Sequence, residues 1–188
     1  DILSMTATPI PRTLSMTLHG DLDISIIDEL PQDRIPIITK VIDDTRLEST
    51  YDFIKNELDK KRQGYIVFPI IDESETLDLE AAEIGYQNIK KMYSQYNVGY
   101  LHGRMKKIEK DEQMDMYING KVDLLVSTTV IEVGIDNPNS TVMMIENAER
   151  FGLTQLHQLR GRIGRGKTQS YCILVQRNRS PLSDYRLK

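Results

Sequence analysis

Five short apolar, β-branched runs alternate with stretches patterned for helices: YIVFPII from Tyr65, VGYL from Val98, DLLVS from Asp123, TVMMI from Thr141 and SYCILV from Ser170. No other feature restricts the fold as strongly. Strands that alternate with helices are joined by crossovers and lie parallel, so the chain reads as α/β, a parallel sheet flanked by helices. The first helix carries Leu47, Tyr51, Ile54 and Leu58 on one face, opens on a Thr45–Glu48 capping box and ends in Lys60, Lys61 and Arg62 before Gly64. A second is expected over Leu79–Tyr93, and a third over Lys106–Ile118, closed by Asn119 and Gly120.

A length of 188 residues, 28% charged and 39% apolar, suits one well-buried globular domain with a little to spare. The apolar runs are strand-sized, far short of the roughly 20 residues a spanning helix needs, so no membrane segment is expected. Cys172 sits inside YCILV and reads as a core residue. With one cysteine there is no internal disulfide, which fits a reducing cytoplasm. His19, His102 and His157 show no paired spacing, so no metal site is expected. Asp1 opens the chain without methionine or a basic leader, which reads as a fragment. Residues 1–30 read as the tail of a preceding domain plus a linker, 31–180 as the main domain, and 181–188 as the start of a downstream segment.

The net charge of −4 argues against a generic nucleic-acid binder, but its distribution is uneven. Asp72 to Glu83 holds six acids and no base, whereas Arg160 to Lys188 holds eight bases against Asp184 alone. A local basic face is therefore expected on an acidic body.

That basic stretch begins in QLHQLRGRIGRG, Gln155 to Gly166, where Arg160, Arg162 and Arg165 stand among three glycines. Extended to Lys167 and Thr168, it also satisfies the phosphate-loop pattern. The two readings need different surroundings. A phosphate loop joins a strand to a helix whose N–H groups face the phosphates. Here a helical pattern (Leu153, Leu156, Leu159) precedes and the strand SYCILV follows. The order favours arginines as donors to a phosphate held elsewhere, since guanidinium is always charged and binds two oxygens at once. For any single arginine, a solvated helix end explains as much.

Ligands of parallel sheets gather beyond the carboxyl ends of strands. Ser127, Thr128 and Thr129 follow one run and offer hydroxyls to a backbone phosphate, although Thr129 and Glu132 also make a capping box. Gly134 and Asp136 supply a turn and a carboxylate suited to a ribose hydroxyl. His102, Gly103 and Arg104 follow VGYL, where an ordinary turn is an equal explanation, and Thr6 and Thr8 lie in a TATP turn.

Taken together and in this order, SMTATPIPRTL (Ser4–Leu14), YLHGRM (Tyr100–Met105), STTVIEVGID (Ser127–Asp136) and QLHQLRGRIGRG resemble superfamily 2 helicases, and within them the RecG family. TATPIPRT is similar to helicase motif III, STTVIEVGID to motif V and QLRGRIGR to motif VI. ENAERFGLTQLHQLRGR (Glu146–Arg162) resembles RecG rather than the Mfd type, whose pattern carries tyrosine where His157 stands and lacks LHGR. The resemblance covers nearly the whole chain. It implies a motor of two RecA-like lobes, with ATP and Mg²⁺ in the cleft and DNA across the top, this chain being the second lobe. By resemblance, Arg162 and Arg165 are arginine fingers, and Gln158, Gly134 and Asp136 approach the nucleotide. His102, Gly103, Arg104, Thr128 and Thr129 would meet the DNA backbone, and Thr6 and Thr8 would couple the two sites. Branched or duplex DNA, the first lobe and a wedge domain are the implied partners of a monomer. The phosphate loop and magnesium box of the whole motor are missing, so the chain alone is expected to be inactive. An Mfd-type translocase lobe and a catalytically dead nucleic-acid-binding module stay open as alternatives.

Overall fold

The computed structural model describes residues 35–70, 75–128, 137–178 and 187. Its sheet has six strands, all parallel: β1 (Ile38–Ile42), β2 (Gln63–Val67), β3 (Val98–Leu101), β4 (Leu124–Ser127), β5 (Ser140–Ile145) and β6 (Tyr171–Val175). They lie in the order β1-β6-β5-β2-β4-β3. Helices α1 (Leu47–Asp59), α2 (Glu75–Met92), α3 (Lys107–Ile118) and α4 (Leu153–Arg160) connect them.

Side chains of a strand alternate between faces, and the core divides accordingly. Ile66, Leu124, Val126, Val142, Met144 and Ile173 pack with Ile54 and Leu58 of α1 and Ile89 of α2. Their alternates Tyr65, Val67, Leu125, Met143, Ile145 and Cys172 pack with Tyr117 of α3 and Leu156 and Leu159 of α4. The sheet is buried on both faces, which is why its central strands read as near-continuous apolar runs.

Three expectations need correction. Strand β1 was not foreseen, because ITKVI mixes polar residues into an outer strand whose first four residues are exposed. The Thr45–Glu48 capping box does not form. Asp43 caps instead, its Oδ1 accepting from Thr45 N at 3.2 Å and Thr45 Oγ1 at 2.5 Å, and a 3-10 turn (Asp44–Arg46) leads into α1. The second helix begins at Glu75, earlier than the expected Leu79. Helix α3 ends as expected, with Gly120 at φ +70°. Among the described residues, no helix is long and apolar enough to cross a membrane.

Candidate functional site

The expected site residues fall on opposite edges of the sheet. At the carboxyl edge, register pairs Leu101 of β3 with Ser127 of β4, so the loops opening at His102 and Thr128 leave adjacent strand ends. Thr128 is fully buried, and its N–H donates to Leu101 O at 3.0 Å. Its Oγ1 is buried without a hydrogen-bond partner, and so is Nδ1 of His102. Two such groups close together are costly unless an outside ligand completes them. Gly103 is exposed, and a Cβ there would meet nothing within 4 Å. The domain's own packing does not require that glycine. Lys110 Nζ donates to Gly103 O at 2.6 Å and Arg104 reaches Thr76 Oγ1 at 3.3 Å, so both bases stay beside the turn.

The arginine run occupies the amino edge. Helix α4 ends at Arg160, Arg162 N donates to Leu159 O at 2.9 Å, and the loop then runs to the start of β6. This is the negative end of a helix, with its N–H groups already used, and the loop leads into strand β6 rather than into a helix. The phosphate-loop reading of Gly161–Thr168 is thereby overturned. Ile163 is fully buried and anchors the loop. Gly164 sits at φ +73°, where a Cβ would lie 2.7 Å from Ile37 Cγ1, and a Cβ on Gly166 would come within 2.4 Å of Pro138 O. Two of the three glycines thus serve close packing rather than access for an anion. Arg165 projects to solvent with its Nε donating to Gly161 O at 3.3 Å. Arg162 is half-buried, and both guanidinium groups act on Tyr65, whose hydroxyl burial pushes up and their charge pulls back. Gln158 is exposed on α4.

Gly134, Asp136, Thr129, Thr6 and Thr8 lie outside the described residues. Asn137 and Pro138, which follow Asp136 in sequence, are described, and Pro138 is what Gly166 packs against.

Of the bases expected to form a local basic face, Arg179, Arg186 and Lys188 lie outside the described residues. Arg177 stands at the carboxyl edge, where it ion-pairs with Asp44 and binds Glu146 through Nε at 3.1 Å and NH2 at 3.0 Å. Glu146 is buried, and burial raises its carboxyl pKa against the pull of Arg177. Sequence reasoning missed this pair because nothing local links two residues 31 apart. Asp78, from the acidic run, is likewise held by Arg150 through two bonds, at 2.8 and 3.0 Å.

A family profile described as "Helicase conserved C-terminal domain" matches residues 45–167, more than half of the chain. The chain belongs to the helicase conserved C-terminal domain family. This helicase C-terminal domain is 54% identical over 187 residues to an ATP-dependent DNA helicase RecG of Synechocystis, covering 99% of this chain and 22% of that protein. A RecG of Haemophilus influenzae is 55% identical over 174 residues, 92% of this chain and 25% of that protein. The domain therefore spans about a quarter of the length of these curated relatives. Among solved structures, a RecG bound to a three-way DNA junction superposes with a TM-score of 0.80 at 43% identity, covering 96% of this chain and 24% of that one. S. cerevisiae Dbp5 bound to RNA and ADP BeF3 reaches 0.63 at 18% identity over 97% of this chain and 46% of that one, a likeness of fold. The RecA-like α/β fold and the likeness to RecG expected from the motifs both hold.

Proposed function

We propose that this chain is the second motor lobe of a RecG-type ATP-dependent DNA helicase, which remodels branched DNA such as stalled forks and Holliday junctions in cytoplasmic repair and recombination. One observation carries the reading. A packed loop presents Arg162 and Arg165 at the amino edge without any phosphate cradle of its own, while unsatisfied His102 Nδ1 and Thr128 Oγ1 sit at the carboxyl edge.

On this reading the two guanidinium groups meet the γ-phosphate of an ATP whose phosphates the first lobe cradles. Their fixed charge stabilises the transferring phosphoryl group. Mg²⁺ would be held mainly by the first lobe. Gln158, Gly134 and Asp136 would touch the nucleotide, and Thr6 and Thr8, in residues 1–30, would couple the lobes. His102, Gly103, Arg104, Thr128 and Thr129 would hold backbone phosphates. Such binding is steeply salt-dependent and indifferent to sequence. The solved RecG on a three-way DNA junction supports branched DNA as the substrate.

In the full-length protein, Arg165→Ala should lower DNA-stimulated ATP turnover by on the order of 10³ or more while DNA binding persists. The 188 residues alone should show no DNA-stimulated hydrolysis. Normal turnover by the variant, or turnover by the isolated chain, refutes the assignment.

A further inference from the structure

Among the described residues β3 is an outer strand, paired with β4 alone, and a groove of about 630 Å³ runs along its flank between α2 and α3. Three half-buried tyrosines, Tyr86, Tyr96 and Tyr100, share it with Lys90 and Lys121, and none of its described lining residues is acidic, in a chain of net charge −4. Asp59 and Asp123, at the amino end, accept from Tyr96 Oη and Asn97 N, and the charge of Glu83 on α2 acts on Tyr100.

The rings form a row. Tyr86 and Tyr100 stack with centroids 4.6 Å apart and planes 9° from parallel, Lys90 Nζ lies 5.6 Å from the Tyr86 centroid, and Tyr100 meets the His102 ring at 5.0 Å. The groove therefore leads into the His102 turn. Aromatic channels that carry lysines and open on a phosphate-binding edge suit single-stranded nucleic acid, whose bases offer π faces and whose backbone needs cations. An apolar helix or strand would gain little from this lining, because it would desolvate two ammonium groups. The four residues of β3 span about 13 Å at roughly 3.3 Å each, room for a few nucleotides.

We propose that the β3 groove binds an unpaired nucleic-acid strand continuous with the duplex held at the His102–Thr128 edge. The inference rests on reading that edge as a DNA surface, and the test separates the two. Fluorescence anisotropy with the 188-residue chain would compare a labelled thymidine strand of about 12 nucleotides with a duplex of equal length. Lys90→Glu combined with Lys121→Glu should weaken single-strand binding about tenfold or more and shift duplex binding by less than about threefold. His102→Ala with Thr128→Ala should do the reverse. A strand carrying 5-iodouridine should cross-link to Tyr86, Tyr96 or Tyr100. Unchanged single-strand binding by the double lysine variant overturns the groove, as do cross-links confined elsewhere or equal displacement by polyglutamate, which would mark a site for acidic polypeptide. Unchanged duplex binding by the His102 and Thr128 variant, with the lysine effect intact, instead overturns the DNA reading of the edge.

Discussion

Replacing Gly164 and Gly103 by alanine, one at a time, separates a glycine required by packing from one left open to a ligand. At Gly164 the backbone sits at φ +73°, where an L side chain costs roughly 1–2 kcal/mol. The new methyl would also press to 2.7 Å on Ile37 Cγ1 and 3.0 Å on Cδ1, and such overpacking costs about 1–3 kcal/mol. Against this, alanine restricts the unfolded chain and returns about 0.4–1 kcal/mol. A net loss of about 1–4.6 kcal/mol remains. With a urea dependence of about 2 kcal/mol per molar, the unfolding midpoint falls by about 0.5–2.3 M. Gly103→Ala meets nothing within 4 Å, so its stability should stay within about 0.5 kcal/mol of the parent. Its cost should appear in duplex binding, where the methyl obstructs a phosphate approaching the turn. Urea titration of both variants, followed by circular dichroism, tests the argument. An unmoved midpoint for Gly164→Ala, or an equal fall for Gly103→Ala, would refute it.

Burial pushes the Cys172 thiol up to about 12, so it should resist thiol reagents near pH 8 and react only on unfolding; labelling at the native rate of a free thiol contradicts this. Burial alone would raise the Glu57 carboxyl, but Lys60 at 2.7 Å and Arg62 at 2.5 Å hold it below the ordinary carboxylate range. A lowered folded pKa gives stability that is present above the unfolded value and lost as pH falls through the folded one. Glu57→Gln should accordingly flatten the acid limb of stability against pH, measured by thermal melts below about pH 5. Arg177→Ala strands Glu146 as a buried carboxylate and should cost roughly 2–3 kcal/mol, less than a fully buried pair because Arg177 is 32% exposed. Adding Glu146→Gln should restore part of that loss in urea titrations, and no recovery would contradict the ion-pair account.

The central strands were legible because burial on both faces selects uninterrupted apolar runs, as in DLLVS and TVMMI. β1 was not, since an outer strand tolerates Thr39 and Lys40. The order of helix and strand around Gly161–Thr168 was enough to reject a phosphate loop. It could not reveal what the glycines pack against, because Ile37 and Pro138 are remote in sequence. His102 and Thr128 could be nominated from strand ends, whereas the missing partners of Nδ1 and Oγ1 emerge only from packing. The aromatic row at β3 was invisible for a similar reason. Tyr86 belongs to a helix and Tyr100 to a strand, and no spacing rule joins them.

The pairing of β1 with β6 also governs how this domain is made. Ile38 and Tyr171 are register partners 133 residues apart, so among the described strands β1 has no neighbour until β6 arrives. On the ribosome, β1 emerges first and must wait, at about 5–20 residues per second, some 7–27 seconds for its partner. During that interval an edge with exposed Ile38 and Val41 is open to wrong pairing. A translational pause before β6 has left the ribosome would therefore lengthen the window for aggregation, whereas a later one would cost the sheet nothing.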